Sequence, residues 1–579
     1  MPFAASRTFW RSLPWAAALL LLTLAASAFA QDEADPPSRV AHMSARQGSV
    51  VFAPQGEEEW TELPQNRPLT GGDRIWSDRG ARAELQLGTA TLHVDGQSHL
   101  GFSELDEGSA QFILQQGTVN ARVRELAPGE NFEIDTPNLA FRALQSGDYR
   151  IDVDPRSGET RVVVASGRAA LYGEGGQSVQ LAAGQQGTFS GRALAQVNAQ
   201  RLGQDDFGAW AASRNRAEDQ AIAGRYVPRG VVGAAQLDQY GTWSQDANYG
   251  TVWYPQVVVQ DWAPYRYGHW SWVAPWGWTW IDDAPWGFAP FHYGRWTMIG
   301  PRWAWVPGPM APRPVYAPAL VAFFGDGGSG VSFTIGSGPG VGWYPLAPGE
   351  AWWPWYRTSP RYVGYANHRI DLRAHPRNTH NHVWRQRPFA ITAVREDDFR
   401  RGRPVHRQWQ RVEPDRVGRA RLDAVPQRPD FRRERETRAQ PRLQAAPPVA
   451  VQPREWARRE VPPAVREQYR AQREQDRLQS DAERDARRQI RQAEQQRRQD
   501  DPRVQQERVY RQQERSTGGF ERERRRDGDN GRGNGRADRG DRGDRGDRGD
   551  RGGRAIRDDR DDRGGRGQRD EGGRGRGFQ

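Results

Sequence analysis

The sequence predicts a mainly β protein: an antiparallel β domain, then an aromatic β-hairpin repeat domain, then a long disordered arginine-rich tail. Three observations lead there. Period-two alternation broken by glycine turns runs from Val40 to Ser190. A Tyr-Gly-x-Trp unit recurs three times between Tyr240 and Trp296. From Glu396 onward the chain is dominated by Arg, Gln, Asp, Glu, Pro and Gly, which cannot bury enough apolar surface to fold.

Residues 1–30 have the three parts of a cleavable secretory signal in order. Arg7 and Arg11 give the positive start, Trp15 to Leu24 the short apolar run, and Ala28-Phe29-Ala30 the small-x-small site before Gln31. The run is short of the roughly 20 apolar residues a membrane span needs. No later segment is apolar and long enough to cross as a helix, so no transmembrane helix is expected in the mature chain. A periplasmic or extracellular location is expected.

Residues 40–195 read as the β domain. Glu84 to Leu87, Thr91 to Val94, Val119 to Val123 and Tyr149 to Val153 alternate polar and apolar, and Arg161 to Ala165 forms a further strand. Gly88, Asp95-Gly96, Gly117, Ser157-Gly158 and Ser166-Gly167 punctuate them. An ordered set of motifs here resembles the FecR-type domain of exported bacterial proteins: Gly48-Ser49-Val50, Leu69 to Ile75, Gly117-Thr118-Val119, Ile134-Asp135-Thr136-Pro137, Val163 to Gly167 and Leu181 to Gln185. One departure is Gly147-Asp148-Tyr149, where the family often has a Gly-Thr pair. The resemblance implies the fold. It also implies a periplasmic regulatory setting, which in the best-known cases goes with a cytoplasmic segment and a membrane span upstream; neither is read in this sequence.

Residues 198–235 are expected to connect the domains. The helix read over Asn198 to Gly224 puts Phe207 and Trp210 on one face and leaves Arg214, Arg216 and Glu218 solvated.

Residues 236–365 form the repeat domain. Tyr240 to Tyr356 holds 16 of the 24 tryptophans. Tyr240-Gly241-Thr242-Trp243, Tyr267-Gly268-His269-Trp270 and Tyr293-Gly294-Arg295-Trp296 recur at intervals of 27 and 26 residues. A second tryptophan comes after each unit at ten, ten and nine residues, at Trp253, Trp280 and Trp305. Rings on alternate positions and glycines between them suit stacked hairpins, and units this small must pack on one another. The stretch from Asp206-Phe207 through Asp261 to Tyr265, Ala284 to Pro290 and Val341 to Leu346, on to Tyr356, resembles a domain of unknown function common in exported proteins. The rings are expected to be mainly core. Those that would make a ligand platform are Tyr267, Trp270, Trp272, Trp278, Trp280, Tyr293, Trp296 and Trp305.

His368, His375, His380 and His382 fall in a loop region, 366–395, and their spacing fits no zinc pattern. Gly336, Gly338, Gly340 and Gly342 alternate without a convincing strand or helix beside them, so no phosphate loop is read there. No metal and no cofactor is expected.

The tail, 396–579, carries 50 Arg against 37 acids, a net of +13, in a chain of net +11. Residues 464–499 could form a solvated helix, and Asp-Arg-Gly repeats five times from Asp538. The tail is expected to be dispensable for folding and to bind anionic polymers weakly, with no specific nucleic-acid role. The chain has no Cys and no Lys, which excludes thiolate, Schiff-base and Walker-lysine chemistry.

The reading is an exported, non-enzymatic envelope binding or scaffold protein whose partner is a cell-envelope glycan or another envelope protein. The alternatives are a periplasmic accessory sensor of FecR type and a cell-wall glycan-acting enzyme; for the latter, Asp282-Asp283 is the only adjacent acid pair in the repeat domain and is read as a turn. N-terminal sequencing of the protein recovered from the envelope should begin at Gln31; an intact Met1 would remove the export reading.

Overall fold

A computed structural model describes residues 35–428, apart from 199, 201–202, 258, 327–331 and 378–380, together with Leu443. The expected signal, the helix at 464–499 and the Asp-Arg-Gly repeats lie outside the described residues, as does His380. Residues 35–428 belong to one compact unit.

Between Ala41 and Val197 the chain forms seventeen strands around one aliphatic core. Every pairing is antiparallel except that of Asn131–Asp135 with Ser109–Val123, which run parallel. The fifteen-residue strand Ser109–Val123 ties the domain together. Its first half pairs with Ser98–Leu105, and its second half pairs with both Ala90–Val94 and Gly147–Asp154. Phe112 and Leu114 point inward before Gly117, and Val119, Ala121 and Val123 after it, so the inward parity changes at that glycine. Gly117 takes φ +92°, a left-handed conformation that opens the period by one residue and lets one strand serve two layers.

The helix Asp206–Asp219 comes next, with the Asp205 carboxylate accepting from the Gly208 N–H at 2.7 Å. Phe207 is buried as the periodicity requires. The polar face is not solvated throughout: Arg214 grips the buried Glu84 at 2.7 and 2.9 Å, and Glu218 accepts from Thr91 at 2.9 Å. The helix lies charged face down on the β domain, because Glu84 is a buried carboxylate that requires a cation.

The three repeat units are three hairpins. Trp243 faces Trp253, Trp270 faces Trp280, and Trp296 faces Trp305 across their strand pairs. The spacing of ten, ten and nine is set by the loops: three residues separate Asp246 from Gly250 and Val273 from Gly277, but two separate Ile299 from Arg302. The repeat glycine is fixed by the same pairing. A Cβ at Gly241 would lie 2.3 Å from the Trp253 ring, one at Gly268 2.7 Å from Trp280, and one at Gly294 2.6 Å from Trp305. The first and third hairpins join through Trp253 and Trp305 into a four-stranded sheet, and the second stands as its own ribbon.

Two expectations are corrected here. Gly338, Gly340 and Gly342 do lie on a strand, Gly338–Pro345, paired with Val321–Gly325 and Thr392–Arg395. The missing side chains admit the Phe324 and Phe333 rings and Ile335; a Cβ at Gly342 would meet Phe324 at 2.2 Å. Apolar character is supplied across the strand rather than along it, which hides the strand from a pattern search.

The second correction is the tail boundary. Thr392–Arg395, Glu396–Arg400 and Pro414–Arg419 all pack on the repeat domain, and Arg421–Leu422 pairs with Val321–Gly325. Phe399, Val405, Val412 and Val417 are buried, with the Phe399 ring 4.6 Å from Trp278 and 5.4 Å from Trp270. The buried Arg266 guanidinium donates to Phe389 O and Ile391 O at 2.9 Å and stacks 4.0 Å from the Trp409 ring. Burial lowers its pKa to about 10, so it remains charged at neutral pH. These segments need no core of their own because they insert single apolar side chains into one already built. Ending the chain before Glu396 should therefore cut the melting temperature sharply, since each buried side chain removed is worth about 1.5–3 kcal/mol. Ending it after Arg428 should leave the melt unchanged, and equal melts for the two truncations would contradict the packing.

Candidate binding cleft

The β domain and the repeat domain are joined through buried polar groups. Asn66 is fully buried in a turn with φ 63°, a conformation asparagine tolerates. Its Nδ2 donates to the carbonyls of Asp282 at 2.9 Å and Ala284 at 2.7 Å. Its Oδ1 can then only accept, so His42 Nε2, 3.0 Å away, carries the proton. The His42 ring stacks on Phe288 at 4.2 Å, and Phe288 touches His292 at 4.7 Å. Gln236 Nε2 donates to Ser44 O at 2.7 Å, and Arg313 pairs with Glu130 at 2.7 Å. Residues 38–40 lie along the repeat domain, where Ser38 O accepts from the Tyr316 N–H at 2.9 Å and Val40 enters the aromatic core.

Asp282 is structural. Its carboxylate accepts from Trp280 Nε1 and from the Ala284 N–H, both at 3.0 Å, and holds the turn on which Asn66 docks. Burial pushes its pKa well above the usual carboxylate range.

This joint leaves a cleft of about 1460 Å³. One wall is the β domain, at Gln55–Glu58, Thr70–Arg74, His99 and Gly101–Asp106; the other is Ala274, Pro275, Pro312, Arg313, Arg361 and Tyr365. A second hollow of about 580 Å³ lies beside the first and shares Gln55, Gly56, Glu57, Thr70, Asp73 and Ala274 with its lining. Trp272, Arg401 and Arg428 also line the second hollow. Seven carboxylates and three guanidinium groups line the larger part, so its field favours cations. Arg313 is paired with Glu130 and Asp73 with Arg67 at 3.2 Å, while Arg74, which donates to the Glu57 carbonyl, keeps its charge in the cleft. His99 lines the cleft at 1 % exposure with no hydrogen-bond partner for Nδ1. Burial, then the nearby Arg74, lower its pKa to about 4.

The candidate platform rings lie mainly in the core. Trp270, Trp278, Trp280, Tyr293, Trp296 and Trp305 are buried in the core, while Tyr267 and Trp272 are half-buried. Their indole N–H groups face inward as well: Trp296 donates to Pro290 O at 2.9 Å and Trp305 to Tyr293 O at 2.8 Å. Of the loop histidines, His382 Nδ1 meets the Tyr344 hydroxyl at 2.9 Å, and His375 gives its carbonyl to Trp353. Among the described residues no three His, Cys, Asp or Glu side chains converge on a metal position, and no helix is long and apolar enough to cross a membrane. Sequence reasoning missed the cleft carboxylates. The run Glu57-Glu58-Glu59 and the cluster Glu104, Asp106, Glu107 were the available signal.

Burial lowers the pKa of His42 from 6.5 to about 4 and that of His292 to about 3, despite hydrogen bonds that work the other way. The unfolded chain therefore binds protons at these sites before the folded one does. Stability is full above pH 6.5 and is lost as pH falls through about 4 and then 3. Thermal melts from pH 7.5 to pH 4 should fall steadily, and His292→Gln should flatten the fall; a pH-independent melt would contradict this linkage.

Residues 73–170 match the model of the FecR protein family, and residues 234–350 match that of DUF6600, a family of unknown function. No curated protein matches the chain. Two crystal structures of a candidate anti-sigma factor from Parabacteroides distasonis ATCC 8503 align at 12% and 11% identity, each with a TM-score of 0.19. Each alignment covers 21% of this chain and 57% of that one. The chain thus carries a FecR domain followed by a DUF6600 domain.

Proposed function

We propose that this is a non-enzymatic binding protein of the cell envelope that holds an extended, cationic protein segment in the cleft between its FecR and DUF6600 domains. The observation that carries this reading is the cleft itself: carboxylates outnumber guanidinium groups seven to three along walls supplied by both domains. A groove of that sign, walled by elements locked through Asn66, recognises positive charge without first ordering itself. Burial of the tryptophans disfavours a neutral glycan as the ligand, since stacking on sugar needs an open ring face. The FecR match and the signal-like leader support an envelope setting. The same match favours a second reading, an accessory sensor of FecR type in which occupancy of the cleft is the sensed event.

The test uses fluorescein-labelled nona-arginine as the probe and the chain ended after Arg428. Replacing Glu57, Glu58, Glu104 and Glu107 together by glutamine should weaken binding about ten-fold, the sum of four charge contacts near the surface. An unchanged affinity would end the proposal.

A further inference from the structure

Among the described residues, four glycines stand inside strands of the β domain: Gly101, Gly117, Gly147 and Gly187. Three of them are required by the fold. A Cβ would lie 2.2 Å from the Ser98 hydroxyl at Gly117, 2.2 Å from Ser166 O at Gly147 and 2.7 Å from the Phe189 ring at Gly187. Gly101 is different. It lies in the strand Ser98–Leu105, and a Cβ there would touch nothing closer than Arg74 Cγ and Ile113 Cβ, both at 3.9 Å. That is an ordinary van der Waals distance. A glycine weakens a strand interior, and where the strand's own packing does not call for one, it marks close approach from outside.

The bare position opens into the cleft. Leu100 and Phe102, its neighbours along the strand, are buried in the aliphatic core, so the Gly101 position turns outward. Gly101 pairs with Arg74 on one side and Ile113 on the other. Paired residues share a face, so the three make a row with a notch at its centre. All three line the cleft, together with the carboxylates Glu57, Glu58, Glu104 and Glu107. The facing wall, supplied by the repeat domain, carries Pro275, Pro312, Val315 and Tyr365 and no carboxylate. Arg74 keeps its charge beside the notch. It repels a cationic side chain there and attracts the face of an aromatic ring.

We propose that the Gly101 notch is an anchor subsite: the basic segment held in the cleft carries an aromatic side chain that seats over Gly101 between Arg74 and Ile113, while basic residues flanking it meet Glu57, Glu58, Glu104 and Glu107. The proposal rests on the cleft reading above and names the feature that tells one basic segment from another. Charge alone discriminates little, since any run of arginines satisfies the carboxylates. One desolvated ring in a hollow discriminates more, because interface energy concentrates in such anchors. The cleft, at about 1460 Å³, exceeds the roughly 300–1,000 Å³ that holds small molecules, which suits a peptide.

The probes are two fluorescein-labelled nonapeptides, nona-arginine and the same peptide with tryptophan at its fifth position, titrated into the full chain. The tryptophan peptide should bind about ten-fold more tightly although it carries one charge fewer. Gly101→Leu fills the notch. It should abolish that advantage and leave both the nona-arginine affinity and the melting temperature unchanged. Ile113→Ser removes one flank of the notch from the outer face of the sheet and should shrink the same advantage; it decides the matter if Gly101→Leu lowers the melt. An advantage that survives both substitutions overturns the proposal. Nona-arginine binding with no gain from tryptophan also overturns it, and leaves the cleft reading standing. Absence of binding by either peptide overturns both.

Discussion

Asn66 is fully buried where the two domains meet, and its amide is satisfied three ways, by two carbonyls of the repeat domain and by His42 of the β domain. The relative placement of the two walls, and hence the width of the cleft, depends on that arrangement. Each partner left without its hydrogen bond would cost about 1–3 kcal/mol, more than most single surface contacts return. Phe288, stacked on His42 and against His292, excludes water from the same spot. The chain enforces the joint from both ends. The stretch before the first strand lies along the repeat domain through Ser38 and Val40, and the helix between the domains is clamped to the β domain through Arg214 and Glu84. A joint held by directional polar bonds fixes orientation in a way that a purely apolar contact of the same area does not.

How much of this could be read from the sequence depended on whether the signal was local. The β domain was legible because each strand carries its own period and each turn its own glycine. The hairpins were legible because the tryptophan spacing equals two arms and a loop. The strand Gly338–Pro345 was not, since its apolar partners, Phe324 and Phe333, come from elsewhere in the chain. The packed segment from Glu396 to Arg428 was hidden by composition: five buried apolar residues are diluted among arginines that face solvent. Arg214 and Glu218 look like a solvated helix face until Glu84 and Thr91 are brought beneath them. The cleft was invisible for a deeper reason. Its carboxylates lie far apart in sequence from its other wall, and contacts across the joint, those of Asn66, Gln236 and Arg313 among them, bring the two together.

The density of aromatic residues in the repeat domain invites a functional reading that the packing does not support. Rings in contact at 4.6–5.5 Å, edge to face, leave little room for a ligand. The rings instead let a chain with short strands and much proline assemble a large core. Function is then left to the surface that this core holds in place, and there the chemistry is electrostatic: arginine and carboxylate, with no lysine anywhere in the chain.

The repeat glycine under each cross-strand indole also constrains how such a domain can change over generations. Neither member of the pair can drift alone. A side chain at the glycine collides with the ring, while a smaller residue in place of the tryptophan leaves a void over the glycine. Length, by contrast, is free in the turns, as the shorter third loop already shows. Descendants of this repeat are therefore expected to inherit glycine and tryptophan as a joint character, with insertions confined to the hairpin tips. A hairpin that has lost one of the two has left the shared core.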